Sequence, residues 1–255
     1  MISRRQLLAL VSSVVAIRSG VALVQRPAAG DGHLNVTPKA PRSKAAPGEQ
    51  VLGLGGDSGR DGLLIVPAGY RPDIPAPLAV MLHGAGGSAR RVSSLFAIAD
   101  ELGVIVLAPE SRGMTWDGIR GSFGPDVSFL NQALAYTFDR CAVDRRRLAI
   151  GGFSDGASYG LSVGLASGDL FTHILACSPG FVIPSPTRGR PRIFVSHGKA
   201  DQILPIDSTS RRIIPELEKG GYAVTYREFD GPHAVPPAIA REALTWFTGA
   251  KPGVK

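Results

Sequence analysis

The run Leu148-Ala149-Ile150-Gly151-Gly152-Phe153-Ser154-Asp155-Gly156 constrains this chain more than any other stretch. Its apolar first half has the length of a buried strand, and it stops at a serine with a glycine two residues away on either side. Glycine at 152 and 156 lets the backbone turn sharply from a strand into a helix, leaving the Ser154 hydroxyl exposed on the turn. The N–H of Asp155 then opens the helix, where an unpaired donor and the positive end of the helix dipole face negative charge developing at the serine. The same G-x-S-x-G spacing recurs around Ser158 and Ser162. Those serines fall four and eight residues further on, along the helix itself. With Gly152, Gly156, Gly160 and Gly164 at helical spacing, they read as a face for close packing against a sheet.

Around this element, short apolar runs alternate with amphipathic stretches from residue 50 onward. Strands are expected over 51–54, 63–66, 78–82, 104–108, 148–153, 174–177, 193–196 and 224–229. Helices are expected over 89–102, 128–138, 156–167, 208–217 and 237–247. Strands alternating with helices predict an α/β fold: a mostly parallel eight-stranded sheet with helices on both faces. Only residues 179–191, with four prolines, separate the strand after the elbow helix from the next, which is too little for a lid domain.

The 255 residues, 44% of them hydrophobic, suit one larger domain over 50–250. The formal charge of +7 lies mainly outside it: residues 1–50 carry seven basic and two acidic groups. A nucleic-acid-binding surface on the domain is therefore not expected. Residues 1–29 read as an export signal, with Arg4-Arg5 ahead of an apolar run to Ile17 that is too short to span a bilayer. The arginine pair resembles a twin-arginine signal, and a general secretory signal is the alternative. Removal of this segment would leave no stable membrane association. Residues 30–49, rich in Pro, Gly, Ala and Lys without periodicity, are expected to be a disordered linker. Cys141 and Cys177 fall near opposite ends of neighbouring strands, ~17 Å apart, too far to form a disulfide.

The remaining chemistry clusters in three turns. His83-Gly84-Ala85-Gly86-Gly87 follows a strand and exposes backbone N–H groups, of which that of Ala85 pairs with Asp155 as a candidate oxyanion donor. Of the five histidines, only His233 lies late in the chain, on a Gly/Pro-rich loop between the last strand and the last helix. His33 lies in the linker, His83 in the oxyanion turn, and His173 and His197 at strand ends. Asp201 hangs from the loop after strand 193–196, where it can accept the His233 N–H and fix the tautomer that takes the Ser154 proton. Asp207 reads as a helix cap, and Asp230 is too near His233 in sequence to serve. Trp116 and Phe123, on the loop 111–126, are expected to wall an open, shallow substrate cleft. No metal site or organic cofactor is called for.

Together, His83-Gly84, Gly152-Phe153-Ser154-Asp155-Gly156, His197-Gly198 through Asp201 to Pro205, and Gly231-Pro232-His233 resemble the α/β-hydrolase superfamily over residues 50–248. Within it the chain looks like the small phospholipase/carboxylesterase group. Trp116, Asp126-Val127-Ser128-Phe129-Leu130 and Val143-Asp144 to Arg147-Leu148 are instead similar to secreted polyhydroxybutyrate depolymerase and feruloyl esterase-like proteins. Both groups often carry Gln or Ala where this chain has Asp155. The resemblance implies hydrolysis of an ester or polyester through a Ser-His-Asp triad and an acyl-enzyme, with short acyl chains expected from the shallow cleft. A serine peptidase and a catalytically silent scaffold are the other classes compatible with the fold.

Overall fold

A computed structural model describes residues 30–56 and 59–250. In chain order its elements are β1 (Gly48–Val51), β2 (Gly62–Val66), β3 (Ala76–Leu82), α1 (Phe96–Glu101), β4 (Ile105–Pro109), α2 (Pro125–Phe138), β5 (Val143–Phe153), α3 (Asp155–Ala166), β6 (His173–Cys177), β7 (Arg192–Gly198), α4 (Ser210–Lys219), β8 (Val224–Phe229) and α5 (Pro237–Thr248). The strands form one eight-stranded sheet in the order β1-β2-β4-β3-β5-β6-β7-β8. Pairing is antiparallel from β1 to β2 and from β2 to β4, and parallel in every other pair.

Alternation along the strands explains the two cores. Leu78, Val80, Leu82, Leu148, Ile150, Ile174 and Ala176 pack on one face with residues of α2, α3 and α4. Their neighbours Ala79, Met81, Ala149 and Leu175 pack on the other face with residues 89–99 and α5. Both faces are covered, as the near-continuous apolar strands require. The elbow, the 83–87 turn, the acid loop and the His233 loop all leave the carboxyl ends of parallel strands. Four separate sequence motifs therefore meet at one edge of the sheet.

Several expected boundaries move for identifiable reasons. The first strand lies at 48–51 rather than 51–54, because the Asp61 carboxylate accepts the Gly53 and Leu54 N–H groups at 2.7 and 3.0 Å and draws that stretch into a turn. The expected helix 89–102 begins as a 3-10 helix over Ala89–Leu95 before α1. Ala89, Val92 and Leu95, three residues apart, line up on one face in that winding, and all three are buried. The helix expected from Ser128 starts at Pro125, a residue suited to a first helical position because it has no N–H to leave unpaired.

Residues 30–49 correct the expectation of a disordered linker. Gly30 bridges to Phe123, Leu34 and Ala45 are buried in the core, and His33 lies 3.1 Å from Asp169. Arg188 pairs with Asp31 at 3.0 Å, and Arg145 donates to the Pro38 carbonyl. Composition gives no periodic signal because the segment up to β1 runs without regular structure and is held by scattered contacts, among them the Arg42 and Ser43 N–H groups on Asp139 O and the Ala45 N–H on Arg140 O. The leader lies outside the described residues.

His173, on β6, shows how burial couples the fold to pH. Its ring meets Trp246 and Phe247 of α5 edge-on, each at 5.2 Å, and its pKa is lowered from 6.5 to about 4 by desolvation, with Arg192 adding to the effect. In that window the unfolded chain binds the proton and the folded one does not. The contribution is intact above pH 6.5 and is lost as pH falls towards 4, at up to about 1.4 kcal/mol per pH unit. Urea unfolding of His173→Phe should therefore give a shallower loss of stability between pH 6.5 and 4 than the parent shows.

Candidate active site

Ser154 is one of only two non-glycine residues with positive φ among those described, at φ 58° and ψ −122°. Such a backbone costs of order 1–3 kcal/mol and persists only where the surroundings enforce it. Here β5 ends one residue before and α3 begins one residue after. The Ser154 N–H donates to the Cys177 carbonyl at 3.0 Å. A Cβ at Gly152 or at Gly156 would lie 2.3 Å from the Leu82 carbonyl oxygen, so both glycines are required by the crossing with β3.

The Ser154 Oγ is 2.8 Å from His233 Nε2, and His233 Nδ1 is 2.6 Å from Asp201 Oδ2. Asp201 Oδ1 accepts the N–H groups of Ile203 and Leu204 at 2.9 and 2.8 Å. Burial opposes ionisation of Asp201, but the Leu204 N–H, His233 and the Ile203 N–H outweigh it and hold the carboxyl below its usual range. The acid loop and the histidine loop are tied together, Lys199 N–H to Phe229 O at 2.9 Å and Ala200 N–H to Gly231 O at 3.0 Å. The Phe153 ring lies 4.6 Å from that of His233 and limits its tilt.

The 83–87 turn faces the serine and is braced from behind. Gly86 N–H donates to Met114 O at 2.7 Å, and Gly87 N–H to Gly84 O at 3.0 Å. His83 Nε2 accepts the Ser111 N–H at 3.0 Å, so Nδ1 carries the proton and donates to Gly84 O at 2.8 Å. Burial lowers the His83 pKa and keeps this ring neutral. Arg60 reaches Gly87 O at 2.9 Å and also donates to Ser111 O. Among the described residues, no hydrogen bond uses the N–H of Ala85. That of Asp155 belongs to the first turn of α3, before any intrahelical acceptor.

Trp116 and Phe123 do not wall a cleft. Both are buried: Trp116 donates its indole N–H to His83 O at 2.9 Å and stacks on Tyr159 at 5.2 Å, and Phe123 meets the same tyrosine at 5.5 Å. Two buried carboxylates pull the loop inward. Asp126 accepts the N–H groups of Arg112 and Asp117, and Asp117 accepts those of Gly124 and Asp126 as well as the Tyr159 hydroxyl. The loop also reaches the elbow through Thr115, whose hydroxyl donates to Asp155 Oδ2 at 2.6 Å. Sequence reasoning missed Thr115 and Phe153, although Phe153 stands inside the elbow motif itself.

Ser158 and Ser162 are buried on α3, consistent with a packing role, and each also holds the segment after β6. Ser158 Oγ accepts the Gly180 N–H at 2.8 Å and Ser162 Oγ accepts the Ile183 N–H at 2.9 Å. That segment, Ser178 to Pro191, contains no helix. Ser158→Ala should cost about 1–3 kcal/mol of stability, by stranding the Gly180 N–H, while changing kcat only severalfold. Thermal unfolding beside ester assays would check both halves.

A cavity of about 390 Å³ adjoins the oxyanion turn, between it, residues 91–95 and α5. Met81, Ala85, Phe153, Cys177, Val235 and Leu244 are among its lining. An apolar recess thus lies beside the oxyanion turn. Cys141 and Cys177 are both buried and free.

Residues 120–234, which include Ser154, Asp201 and His233, match the Phospholipase/Carboxylesterase family. Feruloyl esterase C of Emericella nidulans is 26% identical over 159 residues, 59% of this chain, and the match spans 58% of that protein's own length. Among solved structures, the S-formylglutathione hydrolase FrmB of Staphylococcus aureus superposes with a TM-score of 0.63 at 16% identity, covering 82% of this chain and 99% of the other. The ferulic acid esterase AmCE1/Fae1A of Anaeromyces mucronatus, solved with ferulic acid, superposes with a TM-score of 0.56 at 16% identity, covering 83% and 96%.

Proposed function

We propose that this chain, which belongs to the α/β-hydrolase superfamily, is a serine hydrolase of carboxylic esters. The observation that carries the reading is the continuous chain from Ser154 Oγ through His233 to Asp201, set beside a turn with an uncommitted N–H. His233 Nε2 takes the Ser154 proton as Oγ attacks the ester carbonyl carbon, and the carbonyl oxygen becomes an oxyanion held by the N–H groups of Ala85 and Asp155. Collapse of this intermediate breaks the ester C–O bond, and His233 returns the proton to the departing alcohol. Water, deprotonated by His233, then attacks the acyl-enzyme and regenerates Ser154.

The absence of a helix between β6 and β7 supports free access and short acyl chains of about two to six carbons, each methylene adding only ~0.8 kcal/mol. The recess favours a second reading in which the acyl group is larger. Its lining by Met81, Phe153, Val235 and Leu244 suits the apolar body of a hydroxycinnamoyl group or a short hydroxyalkanoate unit. A panel of p-nitrophenyl esters together with methyl ferulate separates these readings. Turnover of acetyl and butyryl esters, without a jump at the critical micelle concentration, supports the ester hydrolase. A higher kcat/KM on methyl ferulate than on the butyryl ester selects the second reading. An optimum at about twelve carbons or more would contradict both, and cleavage of amides alone would point to a peptidase.

Export of the chain is proposed on the leader alone. Replacing Arg4 and Arg5 by Lys should leave the precursor in the cytoplasm if the twin-arginine route carries it, whereas unchanged delivery would assign the general secretory route.

A further inference from the structure

Asp201 Oδ2 lies between two imidazoles. On one side His233 Nδ1 approaches at 2.6 Å, and on the other His197 Nε2 lies at 3.2 Å. His197 is fully buried at the end of β7. Its protonation follows from its neighbours: Nε2 is 2.8 Å from the Leu204 carbonyl, which can only accept, so Nε2 carries a proton. Nδ1 is 2.6 Å from the hydroxyl of Ser210, at the start of α4, which can donate to it. Desolvation lowers the His197 pKa and favours this neutral form. The Nε2–H is donated to the Leu204 carbonyl, and the same nitrogen lies 3.2 Å from the oxygen that also serves His233. The Ile203 and Leu204 N–H groups hold the other oxygen, Oδ1.

We propose that His197 is a positioning residue: with Ser210 behind it, it holds the Asp201 carboxylate ionised and aimed at His233. The role assigned to Asp201 rests on the function proposed above. An aspartate that serves as orienting acid must not take the imidazole proton during turnover. The positive N–H dipole beside Oδ2 lowers the basicity of that oxygen, which a packed apolar side chain could not do. The groups facing His197 are Asp201 on its own loop, Ser210 on α4, and His233 beyond the carboxylate. Lys199 and Asp230 pair with each other at the surface.

The test compares H197F, which fills the volume without a donor, with H197Q, whose amide N–H can take the place of Nε2–H. Two readouts are used. One is the downfield proton resonance of the His233 Nδ1–H in the resting protein, and the other is the pH profile of kcat/KM on a p-nitrophenyl ester. H197F is expected to shift the resonance, lower kcat/KM by about ten- to a hundredfold, and move the acidic limb to higher pH, since Oδ2 becomes the stronger partner of the imidazolium. H197Q should restore the resonance, the limb and most of the rate. A resonance and acidic limb that are the same in parent, H197F and H197Q would overturn the proposal, as would equal loss in both variants. Should H197F fail to fold, S210A carries the test: a smaller displacement in the same direction supports the proposal, and a parental spectrum and profile refute it. Because the spectrum needs no turnover, a chain that cleaves no ester would defeat the proposed function while the resonance still decides the contact.

Discussion

Ser154→Ala is expected to lower kcat for a p-nitrophenyl ester by about a millionfold, leaving only the residual rate that oxyanion donors and binding supply. Among the serines in the G-x-S-x-G pattern, Ser154 alone has its Oγ within hydrogen-bond reach of His233, and it alone has the strained φ of 58°. Alanine at that position keeps the strain and loses only the hydroxyl, so the thermal midpoint should stay near that of the parent. A loss of activity accompanied by a large fall in midpoint would show that Ser154 serves the fold. Parental activity in Ser154→Ala would remove it from the chemistry altogether.

The second large effect is expected at Asp201. In Asp201→Asn, the side-chain oxygen would be claimed by the Ile203 and Leu204 N–H groups, which sit on Oδ1 at 2.9 and 2.8 Å. The amide NH2 would then occupy the Oδ2 position, facing His233 Nδ1 and His197 Nε2 with donor against donor. His233 can relieve the conflict only by moving its proton to Nε2, the atom that must accept from Ser154. A fall in kcat of about ten-thousandfold follows, with KM changed much less. Steady-state kinetics on a soluble ester would show it. A loss below about tenfold would mean that another group orients the histidine.

The elbow was legible because its glycines answer a backbone requirement: a Cβ at 152 or 156 collides with the Leu82 carbonyl, and no other residue type escapes. Asp201 and His233 were legible from chain order, since each follows the strand that places it at the carboxyl edge of the sheet. The pattern did not reveal which loop residues turn inward. Trp116 and Phe123 look like cleft residues until Asp117 and Asp126, themselves buried, are seen to draw their loop under the oxyanion turn. Residues 30–49 carry no periodicity, so their attachment through Leu34, Asp31 and Ala45 left no signal. The recess is equally invisible in sequence, because it arises where α5 and residues 91–95 fail to close over Met81 and Leu175. His197 stands in the His197-Gly198 turn that leads to Asp201, yet strand-end histidines are usually packing residues. Only the distances to Asp201 and Ser210 give it a different reading.

The role of Ser154 as the activated nucleophile can be read by intact-mass analysis after treatment with a fluorophosphonate, which phosphonylates such a serine with loss of fluoride. One adduct per chain, mapped to the peptide carrying Ser154 and absent from Ser154→Ala, His233→Ala and heat-denatured protein, is the predicted result. An adduct on a different serine, or ester hydrolysis that persists in protein bearing no adduct after exhaustive treatment, would contradict the account.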